Sequence, residues 1–198
     1  MINMEKKSYE EIKTPQELLE FMNNNISYGF HGSDDKDYFN EGNDSFNINC
    51  RNKWILSDSE RILKYKLGHC WDQVELERDW FKKNNYEFKT IFIWFLFNHN
   101  NNYPTHTYLV YKDNNKWYWF EHADYNNRGI HKFNSLKETI KAQMEKHIEY
   151  ASQYNEINND IINHIHIYEY SSPRYGCNMD GFIENIINEA KDITYIIK

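Results

Sequence analysis

The stretch GHCWDQVELERDWFKKNNYE, Gly68 to Glu87, decides how the chain folds. Gly68 can end the turn before it. At 100° per residue Cys70, Val74, Glu77 and Phe81 then fall on one stripe, flanked by Trp71 and Trp80. The spacing predicts a helix from Cys70 to Lys83 that opens on a cysteine and turns it inward. Asn84-Asn85 breaks the pattern. Phe88 to Phe97 is almost wholly apolar and reads as a central strand buried on both faces. NHNNNYP, residues 98–104, is a loop. THTYLVYK and KWYWFEH then alternate as two strands around Asp113-Asn114-Asn115, a hairpin signal.

Working outward, Thr14-Pro15 before QELLEFM predicts a capped first helix. The polar run from Gly32 to Asn49 predicts a long surface loop that covers a cleft or is a simple insertion. Ser57 to Lys66 predicts a short helix capped by Ser57 or Asp58. Downstream, Ser135 to Tyr150 is helical with Ser135 and Glu138 as a capping box, Asn163 to Tyr170 is a strand, and Asp180 to Glu189 is a helix. The fold class expected is α+β: an antiparallel sheet of about four strands packed against the Cys70 helix, in one domain over residues 1–198.

Composition narrows the function. A formal charge of -7 and a pI near 5.7, with no Lys/Arg-dominated face, argue against a nucleic-acid partner. The longest apolar run, Ile91 to Phe97, is far short of the roughly 20 residues that cross a bilayer, and MINMEKKSYEEIK is no signal peptide. No membrane partner is expected. Cys50, Cys70 and Cys177 are odd in number and widely spaced, so neither a disulfide framework nor a zinc ribbon is implied. Reduced thiols in a cytoplasm are the simplest reading. His69, Cys70, His106 and His122 are metal-ligand types, but no HxxxH or HExxH spacing occurs, and no glycine-rich phosphate loop is present. Neither a metal nor an external cofactor is expected.

A thiol works as a nucleophile only when ionised, and helix N-terminal amides and a nearby imidazolium both favour the thiolate. Cys70 has the helix start, and its own N–H is a candidate oxyanion donor. His106 on the first hairpin strand offers the imidazole, and a third group must fix its tautomer. If the turn has two or four residues, His106 and Glu121 project from one face of the hairpin; a three-residue turn or a bulge puts His122 there instead. Asn114-Asn115 fits the two-residue turn, which favours Glu121. His69 is read as structural and the tryptophans as core, although Trp71 and Trp119 could line a second-substrate channel. Gln73 and Glu77 are read as a buried polar network, and Tyr28 and Trp54 as side chains able to complete an oxyanion site.

A cysteine opening a helix in GHCWD, a histidine in the strand THTYLVY and an acid after a tryptophan-rich strand resemble the transglutaminase-like superfamily. The resemblance spans roughly Ser57 to His131. It implies a fold related to papain-like peptidases, with a Cys-His-Asp triad carried on a helix and an antiparallel sheet. Matched residue by residue, Cys70 is the nucleophile, His106 the base and Glu121 the orienting acid, with Glu standing where the family usually has Asp. The implied activity is thiol-dependent acyl transfer on an amide or peptide bond through a thioester, first of all hydrolysis of a peptide or protein substrate. The same family contains transamidating enzymes and members that have lost catalysis, so both stay as alternatives. Nothing in the sequence speaks to oligomeric state.

Overall fold

The N-terminal part is built around short, well-capped elements. The computed structural model describes residues 8–40, 44–95, 105–152 and 164–197. Helix α1 (Pro15–Asn25) begins as expected, with Pro15 in its first turn and the Thr14 side chain accepting from the Glu17 N–H at 3.2 Å. Strand β1 (Ser27–His31) follows it and pairs antiparallel with β2 (Asp37–Phe39).

The run from Gly32 to Asn49 is not one long loop. It holds β2 and most of the first two turns of α2 (Asp44–Lys53). Asp35 supplies the left-handed residue the β1–β2 connection needs, at φ 61°. Phe46, Cys50 and Trp54 repeat at helical spacing and are all buried. Three apolar residues among Asn, Asp and Arg leave too thin a stripe for periodicity to outweigh composition.

Helix α3 (Ser59–Tyr65) is capped by Asp58, which accepts from the Arg61 N–H at 2.8 Å, and ends on Lys66 in the left-handed region. Strand β3 (Leu67–Gly68) then runs parallel to β1, with Tyr28 opposite Gly68, completing a sheet of order β2-β1-β3. Helix α4 (Cys70–Lys83) has the bounds the sequence predicts, and Cys70, Val74, Glu77 and Phe81 are buried along it.

The second sheet is built from β4 (Glu87–Phe95), β5 (Thr105–Asp113), β6 (Lys116–Glu121), β7 (Gly129–Phe133), β8 (Ile165–Tyr170) and β9 (Lys191–Asp192), in the order β7-β6-β5-β4-β8-β9 and antiparallel throughout. The expectation of about four strands therefore falls short. The four expected form the middle of the sheet, and the extra two are its edges, where β7 is only half-buried and β9 is two residues long. Helix α5 (Leu136–Ser152) begins after Ser135, whose hydroxyl accepts from the Glu138 N–H at 3.2 Å. The Glu138 carboxylate reaches back to Asn134 N–H rather than to Ser135. Helix α6 (Met179–Glu189) matches expectation to within a residue.

The sheet is covered on both sides. Phe92, Leu109, Tyr111 and Phe120 join the core under α4 and α6, while Ile91, Ile93, Tyr108, Val110 and Trp119 join a second core with Ile140 and Met144 of α5. Strand β4 is thus buried on both faces, as its apolar run requires. The architecture is α+β. Among the described residues no helix is long and apolar enough to cross a membrane. The loop expected at 98–104, the last two residues of the strand expected to end at Phe97, and Asn163 lie outside the described residues.

Candidate active site

Helix α4 is fixed at its first turn by residues on both sides of Cys70. His69 is the N-cap, and its Nδ1 accepts from the Trp71 N–H at 3.0 Å. Asp72 answers by accepting from the His69 N–H at 3.2 Å, and also takes the Ser57 N–H and the Trp54 indole N–H, both at 2.9 Å. Three donors on one buried carboxyl tie the helix start to the segment before α3. Burial pushes Asp72 up to about 7 despite them, and burial takes His69, stacked on Trp54, down to about 3. His69 is structural, as expected. Trp54 donates to Asp72, so it is no oxyanion donor.

The hairpin turn sets the second half of the site. Asn114 and Asn115 have φ of 47° and 61°, a two-residue turn, and the ladder from Asp113↔Lys116 to Leu109↔Phe120 keeps that register. His106 and Glu121 therefore share a face, and His106 Nε2 lies 2.8 Å from Glu121 Oε2. The same carboxylate oxygen accepts from the Trp119 indole at 3.1 Å, and Oε1 accepts from the Asp124 N–H at 2.8 Å. Glu121 is thus held from three sides. His122, one residue on, points to the opposite face, where its Nδ1 meets Gln73 Oε1 at 2.6 Å. Gln73 in turn donates to the Gly68 carbonyl at 2.6 Å.

The face shared by His106 and Glu121 is the one covered by α5, whereas α4 packs on the other. Geometry at the end of the hairpin brings them together. The β5–β6 ladder stops at Leu109↔Phe120; beyond it β5 runs on to Thr105 paired with β4, and β6 runs on to Glu121 paired with β7. The two strands part there, and Cys70 and His106 line one cleft of about 360 Å³ at the opening. Tyr28, Asp124, Arg128 and His147 line it too.

Charges within the cleft reinforce one another. Burial alone would lower the His106 pKa, but the Glu121 carboxylate and a hydrogen bond to the Cys70 thiol hold it well above the usual imidazole range. With Nε2 on Glu121, Nδ1 is the ring nitrogen left for the thiol. Cys70 is 9% exposed, and Tyr28 lines the same cleft. Burial first, and then the Cys70 and Cys50 thiols, raise Tyr28 well above the ordinary phenol range, so it is a neutral O–H donor. As the first residue of α4, Cys70 also has an N–H with no intrahelical acceptor. His147, from α5, stacks on His106 with ring centres 5.8 Å apart. Trp71 is instead stacked on Phe182 at 4.2 Å and Trp119 backs Glu121, so neither tryptophan lines the cleft.

The expected polar network behind the site is half correct. Gln73 is fully engaged, but Glu77 is buried with Oε2 lacking a partner among the described residues. Burial first and then the Glu121 charge push Glu77 well above the carboxylate range, making it a neutral acid. Such a group retains its proton when folded, so its contribution to stability declines as pH rises above the unfolded value of about 4.3. Glu77→Gln should therefore raise the melting temperature more at pH 8 than at pH 5. An equal shift at both would mean that Glu77 is ionised in the fold.

No protein-family model matches the chain, and no curated protein matches it. Among the described residues no group of three or more His, Cys, Asp or Glu is arranged to hold a metal ion. Asp124, Arg128 and His147 went unnoticed in the sequence because no spacing relates them to Cys70.

Proposed function

We propose that the chain is a thiol-dependent acyl-transfer enzyme that hydrolyses an amide or peptide bond, with Cys70 as nucleophile, His106 as base and acid, and Glu121 as its orienter. The observation that carries this reading is the 2.8 Å contact between His106 Nε2 and Glu121 Oε2 on an imidazole that lines one cleft with Cys70, at a helix start. The same order of residues is what makes the chain resemble the transglutaminase-like cysteine enzymes and, more distantly, papain-like peptidases.

In this reading the His106 imidazolium and the Cys70 thiolate form the resting pair. The sulfur attacks the acyl carbon, and the oxyanion that develops is met by the Cys70 N–H and the Tyr28 hydroxyl. Collapse breaks the C–N bond as His106 gives its proton to the leaving amine. His106 then takes a proton from water, hydroxide displaces the sulfur from the thioester, and the acid product leaves. Amine transfer would need a second site that shelters the thioester from water. Trp71 and Trp119, the residues read as able to form one, are away from the cleft, which supports hydrolysis.

Limited iodoacetamide labelling at pH 6, mapped by mass spectrometry, tests the nucleophile. Cys70 should label before Cys50 and Cys177, since burial pushes Cys50 up to about 12 and also raises Cys177. Equal labelling of all three would remove the ion pair. A peptide library supplied with and without a primary amine then reads the reaction by product mass. Dominant amine adducts would mean transfer rather than hydrolysis. No product from an unreactive Cys70 would mean a non-catalytic interaction domain.

A further inference from the structure

One cation at the cleft has its acid-binding edge unspent. Arg128 is half-buried; its Nε donates to the His122 carbonyl at 2.8 Å, and its guanidinium lies 5.3 Å from the centre of the Tyr125 ring. Those contacts hold one edge and one face of the planar group, and neither Nη has a partner among the described residues. Arg128 lines the same cleft as Cys70 and His106, and is the one Lys or Arg among its described lining residues.

The nearby acids are engaged elsewhere. Glu121 accepts from His106, Trp119 and Asp124. Asp124 accepts from the Asn126 N–H at 3.1 Å and from the Asn127 side chain at 2.7 Å. A guanidinium fixed along one edge, with its two Nη groups free, is shaped for bidentate contact with a carboxylate. Charge favours a single negative group over a phosphate. The Glu121 charge is already offset by His106, so a monoanion is balanced by the single charge of Arg128, whereas the second charge of a dianion would face only the Asp124 carboxylate.

We propose that Arg128 is a carboxylate-binding subsite, and that the substrate is an acyl donor with a carboxylate close to the scissile amide. This rests on Cys70 being the nucleophile. The carboxylate is either an acidic side chain or a chain terminus, and both present the same group to the guanidinium.

Two small alkylating agents that differ in charge test it. Rates of Cys70 modification by iodoacetate and by iodoacetamide are measured on the full chain and on Arg128→Gln. The iodoacetate-to-iodoacetamide ratio should fall by about fivefold in the variant, the scale of one partly screened ion pair. An unchanged ratio overturns the subsite while leaving the nucleophile standing. A Cys70 inert to both reagents removes the nucleophile reading, and the subsite is then decided by binding. For that arm the Arg128 Nε–H NMR signal is followed while N-acetylglycine, a chain-terminal carboxylate, or N-acetylglutamate α-amide, a side-chain carboxylate, is added. The compound that shifts the signal in the wild type names the source. A signal moved by neither overturns the subsite.

Discussion

Glu121→Gln should lower turnover by about 10³–10⁴-fold, the scale seen when the orienting acid of a triad is made neutral. Melting should fall far less. The carboxylate accepts from His106 and Trp119 on one oxygen and from Asp124 N–H on the other. A glutamine has one carbonyl oxygen and can satisfy only one of these sides. Turned to His106, it keeps the ring in place but sets its NH₂ against the Asp124 N–H, a loss of about 1–3 kcal/mol. What it cannot do is balance an imidazolium. The thiolate pair is then lost and His106 no longer has a proton to give the leaving amine. Activity and melting measured on the same preparations separate the two effects. His122→Asn is the control, because His122 faces Gln73 on the other side of the sheet. Turnover lost in the control but kept in Glu121→Gln would assign the orienting role to His122.

The second large effect is on acid stability. Burial takes His122 down to about 3, with the Arg128 charge adding to it. The folded state therefore holds this ring neutral, while the unfolded chain protonates it below about 6.5. Between those values the unfolded state binds one more proton, so stability from this residue rises with pH and is lost as pH falls from about 6.5 to 3. His69 acts in the same direction, while Asp72 and Glu77 act in the opposite one, since both stay protonated in the fold. The total curve hides these opposing slopes, and a difference between two proteins exposes them. The unfolding free energy of the wild type minus that of His122→Gln, from urea melts, should climb by about 1.4 kcal/mol per pH unit across this window. A flat difference would mean that His122 is already charged in the fold.

The middle of the fold was legible because its signals were local. A cysteine-led stripe gave α4 its bounds, and Asn114-Asn115 set a turn whose two residues decide which side chains share a face with His106. That parity argument reaches as far as the Glu121 contact. Elements whose stabilisation comes from distant partners were not legible. Strand β3 is two residues long and exists because β1 lies beside it, and β7 has no alternation because Ile130 packs toward one core and Phe133 toward the other. The cleft shared this fate. His147 arrives from α5 and Arg128 from the turn after β6, and only the parting of β5 from β6 brings either to Cys70.

The Tyr28↔Gly68 pairing also bears on the order in which the protein assembles. The β5–β6 hairpin closes over two residues, an event on the scale of about 1–10 μs, and carries His106 and Glu121 with it. Joining Tyr28 to Gly68 closes a loop of roughly 40 residues that holds β2, α2 and α3, a slower search than the hairpin's. The imidazole and its acid are thus early structure, and Tyr28 beside them in the cleft is late structure. Cys70 is therefore expected to gain Tyr28 as a neighbour later in refolding than the hairpin forms. Thiol protection during refolding should accordingly follow the slowest phase rather than the growth of the sheet.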